Sequence, residues 1–196
     1  MDSGDLGEHD AMRAAKARLR ARRVASRAAM TPETREQARA AVRDVVLERV
    51  RAAGWRCAAA YVPLSTEPGS TGLLVGLRAA GLRLLVPITL ADRDLDWAEW
   101  SADGIGPALG KGAIGDAELV LVPAFAVGDD GMRLGRGGGS YDRALVRSAP
   151  SAETAAVLFD GEREPSVPAE PWDRPVDGVI TPSGWSRRNT GARRSG

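Results

Sequence analysis

The segment Arg133-Leu134-Gly135-Arg136-Gly137-Gly138-Gly139-Ser140-Tyr141-Asp142-Arg143 holds four glycines and three arginines. That composition suits a grip on phosphate. Glycine lets the backbone turn with positive φ and approach a ligand closely, so successive N–H groups can converge on one anion. Arginine adds a planar, bidentate charge that matches phosphate oxygens. Tyr141 to Ser148 reads as a helix, which would aim its first N–H groups at the same place. Asp142 in its first turn suits the helix dipole and could hold a cation that bridges phosphates. A bare glycine turn with solvated arginines is the plain alternative, but it requires neither so many arginines nor a strand before and a helix after.

Other chemistries are scarce in this chain. His9 is the only histidine, in an acidic, polar leader (residues 1–10) expected to be disordered. A Ser-His-Asp triad, a histidine base and a His/Cys zinc site are therefore set aside. Lys16 and Lys111 are the only lysines, and Cys57 is the only cysteine, so no internal disulfide can form. A reducing, cytoplasmic setting is the simpler expectation. Net charge is +1, which asks for no nucleic acid or acidic surface. No run approaches the roughly 20 apolar residues of a membrane span.

The elements that must position the loop follow from periodicity. Ala11 to Met30 is alanine- and arginine-rich and helical in propensity. Thr31-Pro32-Glu33 supplies an N-cap, a proline at the first helical position and an acidic first turn. Ala38, Val42, Val45, Val46 and Val50 then recur at helical spacing until Gly54. Cys57 to Val62, Leu82 to Pro87, Glu118 to Pro123, Ala155 to Phe159 and Val176 to Thr181 read as buried strands, with Leu95 to Trp100 as a short mixed one. Thr71 to Ala80 reads as a helix between the first two. Strands alternating with helices predict one α/β domain over residues 11–183, in three layers, with a largely parallel, Rossmann-like sheet and helices on both faces. Residues 184–196 lack periodicity and are expected to be disordered.

Ligands of open parallel sheets bind beyond the carboxyl ends of the strands. The glycine loop and the loop Ser65 to Thr71 should therefore face one rim, bringing Glu67 to the arginines. A solvated loop acid is an equally good reading of Glu67 on composition alone. The Walker pattern is absent, and the match of residues 135–140 to a dinucleotide fingerprint is loose.

Taken together, Lys16-x-x-Leu19-Arg20, Tyr61 to Pro68, Leu121 to Val127, Gly131 to Arg143, and Pro168 to Asp177 with Ile180-Thr181-Pro182 resemble the 5-formyltetrahydrofolate cyclo-ligase family, also called methenyltetrahydrofolate synthetases. The resemblance runs from about Ala14 to Pro182, in order. It implies an ATP- and Mg²⁺-dependent ligase that closes 5-formyltetrahydrofolate into 5,10-methenyltetrahydrofolate through a phosphorylated formyl oxygen, an iminophosphate. Positioning and charge neutralisation suffice for such chemistry, in keeping with the missing histidine.

By that resemblance Lys16 and Arg20 reach the ATP phosphates, and Arg133, Leu134, Gly135, Arg136, Gly137, Gly138, Gly139, Ser140 and Tyr141 wrap the triphosphate. Lys16, Arg136 and Tyr141 are the implied catalytic groups. Arg20, Val62, Glu67, Arg136 and Ser140 face the folate, and Asp142 and Asp173 hold Mg²⁺. The family's longer segment before Glu118 is reduced here to Asp103-Gly104-Ile105-Gly106-Pro107; Ser140 replaces an aromatic, and Trp172 stands where histidine is common. The contraction motivates a second reading, a folate- or ATP-binding homologue without turnover. A third is a nucleic-acid binder using Arg13, Arg18, Arg20, Arg22, Arg23 and Arg27 plus the tail arginines. The expected partner is a reduced folate, with no nucleic acid and no membrane, for a chain acting as a monomer.

Overall fold

The computed structural model describes residues 3–189. Two long helices come first, α1 (Ser3–Ala28) and α2 (Pro32–Ala53). The signals around α2 act as read: Thr31 Oγ1 accepts the Thr34 N–H at 3.1 Å. Gly54, at φ 70°, donates its N–H to the Val50 carbonyl. A left-handed residue there costs glycine little and most others more. The leader expected to be disordered is instead helical from Ser3, and His9 Nδ1 lies 3.3 Å from Glu170 Oε1, tying α1 to the segment after residue 165.

The main sheet contains β1 (Cys57–Ala59), β2 (Arg83–Thr89), β3 (Leu95–Ser101), β4 (Gly104–Ala108), β5 (Leu119–Pro123), β8 (Glu153–Val157), β10 (Gly178–Thr181) and β11 (Gly184–Arg187). Its order is β11-β10-β8-β5-β1-β2-β3-β4. The five strands from β10 to β2 are parallel, and β11, β3 and β4 add antiparallel margins. Parallel strands are covered on both faces. Here α2 and α3 (Thr71–Ala79) cover one, through Val42, Val46, Leu73 and Leu77; a 3-10 turn (Lys111–Asp116) and α4 (Ser140–Leu145) cover the other, through Ile114 and Ala144. The predicted layered, Rossmann-like architecture is the one observed.

Other details also differ from the expectations. β1 stops at Ala59, because the chain leaves the sheet toward the cleft. Residues 184–187 form β11 through a tight hairpin, with Trp185 stacked on Arg49 at 4.2 Å; residues 190–196 lie outside the described residues. α4 covers only Ser140–Leu145. A second sheet of β6 (Ala126–Gly128), β7 (Arg133–Leu134) and β9 (Arg163–Glu164) stands between β5 and the glycine loop, so the loop follows β7.

Strand order reverses at β1: the chain moves from β1 to β2 on one side and returns to β5 on the other. Such a reversal opens a crevice at the strand ends. Beside it, Arg27 and Glu162 form a buried bidentate pair with both N···O distances 2.7 Å. Arg22 and Arg23 both pair with Glu164. Of the arginines that a nucleic-acid reading would present to solvent, Arg23 and Arg27 are thus withdrawn into the chain, while Arg22 pairs but stays exposed.

Below the crevice Asp94 accepts from Arg147 Nη2 at 2.6 Å and lies 3.0 Å from Lys111 Nζ. The Arg147 hydrogen bond is the main cause holding its carboxyl well below the usual carboxylate range. A depressed folded-state pKa stabilises above the unfolded value of about 3.9 and loses that contribution as pH falls. Asp94→Asn should therefore flatten the drop in melting temperature on acidification below about pH 4. Thermal melts of both proteins across that range check it; parallel curves would remove Asp94 from the acid response.

Candidate active site

The crevice is a cleft of about 1530 Å³, lined by α1, the ends of β1 and β5, the glycine loop and residues 170–174. One small ligand usually occupies about 300–1,000 Å³, so two can share it.

The side of the cleft formed by the glycine loop is built from backbone and guanidinium. Gly137 (φ 96°) and Gly139 (φ 64°) take left-handed conformations open to glycine. A Cβ on Gly139 would also lie 3.1 Å from Arg143 Nη1. Arg20 Nε donates to the Gly135 carbonyl at 2.7 Å, and Arg143 Nη2 donates to the Gly138 and Arg93 carbonyls at 3.0 and 2.7 Å. Both arginines hold the loop by its oxygens. Ser140 opens α4 at the cleft wall, but six residues of helix give only a short dipole, so the loop amides offer an anion more than the helix end does.

Lys16 is not a solvated helix charge. It is 8% exposed, and Nζ lies 2.8 Å from both Glu170 Oε2 and Asp173 Oδ2. Burial opposes its charge, and the two carboxylates outweigh that, raising its pKa above the ordinary lysine value. Arg133 is buried; Nη2 donates to Asp142 Oδ1 at 2.7 Å, while Nε has no partner among the described residues. Burial lowers its pKa, with Asp142 and Asp173 opposing. Tyr141 presents a buried hydroxyl also without a partner, and burial raises its pKa, so it stays a neutral donor near pH 7. Leu134, expected beside phosphate, turns its side chain into a small core with Ala126 and Val167 and anchors the loop.

The carboxylates fit a hard cation. Hydrogen bonds to Asp142 fall on Oδ1, from Arg133 and the Arg174 N–H; those to Asp173 fall on Oδ2, from Lys16 and the Glu170 N–H. Each thus keeps one oxygen without a donor among the described residues. No cluster of three ligating side chains occurs among those residues. Two carboxylates completed by phosphate oxygens is the usual arrangement for Mg²⁺.

Across the cleft Glu67 is 5% exposed, so the solvated-acid reading does not hold. Its Oε2 accepts the Leu64 N–H at 2.8 Å and Oε1 lies 3.3 Å from Arg136 Nη2. The two loops meet as expected. Val62 and Leu64 are half-exposed and give that side apolar surface. Arg136 sits over Phe125, 5.9 Å from the ring centroid, with its side chain 57% exposed. Sequence reasoning missed the roles of Glu170, Arg143 and Phe125; all three lie inside the motifs named above, and only their partners reveal what they do.

A family model described as the 5-formyltetrahydrofolate cyclo-ligase family matches residues 12–182. The chain belongs to that family. Among cyclo-ligases, the 5-formyltetrahydrofolate cyclo-ligase of Mycolicibacterium smegmatis is 36% identical over 186 residues, spanning 78% of this chain and 96% of that protein. Two solved structures share the fold. The 5,10-methenyltetrahydrofolate synthetase from Mycoplasma pneumoniae aligns with a TM-score of 0.74 at 18% identity, covering 85% of this chain and 98% of its own. The Aquifex aeolicus 5,10-methenyltetrahydrofolate synthetase gives 0.69 at 22%, covering 90% and 94%. The cyclo-ligase fold is therefore common to chains of low identity. No described helix is long and apolar enough to cross a membrane.

Proposed function

We propose that this cyclo-ligase family member uses Mg-ATP to convert 5-formyltetrahydrofolate into 5,10-methenyltetrahydrofolate. The observation that carries the reading is the facing pair of loops: a glycine-arginine loop meets a buried carboxylate, Glu67, through Arg136 at 3.3 Å. One side suits a triphosphate, the other a pterin rich in N–H donors.

A formamide oxygen is a poor leaving group, so N10 cannot displace it unaided. Phosphoryl transfer to that oxygen makes an iminophosphate; N10 then bonds to the formyl carbon, loses its proton, and phosphate departs with the oxygen. The chain's residues have to align and neutralise. Loop amides between Gly137 and Ser140 cradle the phosphates, and Arg136, free to swing from Glu67, follows the transferred group. Lys16 balances charge at the far side, next to Asp173 and Glu170, and Asp173 with Asp142 would hold Mg²⁺. When bound, that ion neutralises phosphate charge and orients the oxygens. Tyr141 donates its unpartnered hydrogen bond to an oxygen at the junction. Glu67 accepts the pterin donors.

The test is turnover, followed by methenyl absorbance with Mg-ATP and 5-formyltetrahydrofolate. Product at catalytic protein concentrations is expected; nucleotide binding without product would favour a binding-only homologue. Glu67→Gln should raise the KM for the folate about tenfold, the scale of one charged hydrogen bond, with the KM for ATP little changed. An unchanged folate KM would remove Glu67 from the pterin pocket.

A further inference from the structure

The loop that carries Glu67 has no helix or strand of its own, yet its carboxylate is buried and held at both oxygens. One guanidinium explains this. Arg39 of α2 donates Nε to the Glu67 carbonyl at 3.1 Å, and Nη2 to the carbonyls of Ser65 and Leu64 at 2.8 and 3.2 Å. Its side chain is mostly covered, and its nearest acid, Glu36, is 3.9 Å away and largely exposed. The fork therefore serves main-chain oxygens. The same turn closes on itself, with the Glu67 N–H donating to the Leu64 carbonyl at 3.0 Å and Glu67 Oε2 accepting the Leu64 N–H.

We infer that Arg39 is a positioning residue for reduced-folate selectivity: by gathering three carbonyls of residues 64–67 it fixes the direction of the Glu67 carboxylate. A planar fork on a helix is a rigid support, and rigid supports hold binding groups to the fraction of an ångström that recognition needs. A lysine offers no such fork. Arg39 is not among the residues that line the cleft, and acts through the turn that carries Glu67.

The inference rests on the proposed folate pocket, and a double-mutant cycle separates the two. Calorimetric Kd values for 5-formyltetrahydrofolate are measured for the wild type, Arg39→Met, Glu67→Gln and the double variant, with ATP affinity and melting temperature alongside. Arg39→Met keeps the apolar stem that packs on the loop. It should weaken folate binding about tenfold, leave ATP affinity within about twofold, and add nothing in the Glu67→Gln background. If Arg39→Met fails to fold, Arg39→Lys should give the same non-additive pattern at about threefold. Full additivity, or equal losses for folate and ATP, would overturn the inference and leave the pocket standing. A wild type that binds no folate would overturn both.

Discussion

Arg136→Ala should lower ATP-dependent turnover by about 10²- to 10³-fold, the usual cost of removing one donor aimed at charge that develops in the transition state. Arg136 is mostly exposed, and its protein contacts are a 3.3 Å pairing with Glu67 and the face of Phe125. Its removal leaves the buried Glu67 carboxylate with the Leu64 N–H as its remaining partner, so stability should fall by about 1–3 kcal/mol. The loss should appear mainly in kcat, because ground-state phosphates keep the loop amides and Lys16. Steady-state kinetics with a thermal melt of the same sample check both statements. Activity within a fewfold of wild type would assign the transferred phosphoryl group to another cation. Asp142→Ala is a poorer probe, since it strands the buried Arg133 guanidinium that donates to Asp142 at 2.7 Å.

The second large effect is on stability. Arg27 and Glu162 are 2% and 3% exposed, and each has a further partner: Arg27 Nη2 also donates to the Ala124 carbonyl at 2.7 Å, and Glu162 Oε2 accepts the Phe159 N–H at 2.9 Å. The guanidinium lies 5.0 and 5.5 Å from the Phe125 and Phe159 ring centroids. Removing one charge leaves the other buried and unpaired, so Glu162→Ala should cost about 3–5 kcal/mol. In a domain of this size that is a fall of about 10 °C in melting temperature. Arg27→Met with Glu162→Leu, which removes both charges, should recover much of it. A Glu162→Ala melt close to wild type would mean that water reaches the pair.

Parts of this molecule with local causes were legible in the sequence. Thr31, Pro32 and Gly54 bound α2 through capping that acts within a few residues, and apolar runs marked the parallel strands because both faces are covered. The hairpin of β6 and β7 had a local signal in Asp130-Gly131, a dipeptide common in tight hairpin turns, which went unread. β9 had none, since it is held by pairing Val127 with Arg163 across the chain. Long-range partners explain the other gaps. Lys16 meets Asp173 at a separation of 157 residues and Arg27 meets Glu162 at 135, so no window of sequence reveals either pair. The first pair shows in the sequence only as two members of one family pattern; in the second, Arg27 stands only among the arginines of the nucleic-acid alternative and Glu162 carries no signal of its own. Glu67 was ambiguous for the same reason, because its burial depends on Arg136 and on the packing of a loop without periodicity.

The most direct test of phosphoryl transfer to the formamide follows the oxygen. 5-Formyltetrahydrofolate carrying ¹⁸O in its formyl group is turned over with Mg-ATP, and the released phosphate is analysed by mass. One labelled oxygen per phosphate, formed in step with the methenyl product, is the expected result. Unlabelled phosphate, or ATP hydrolysis with no methenyl product, would contradict it.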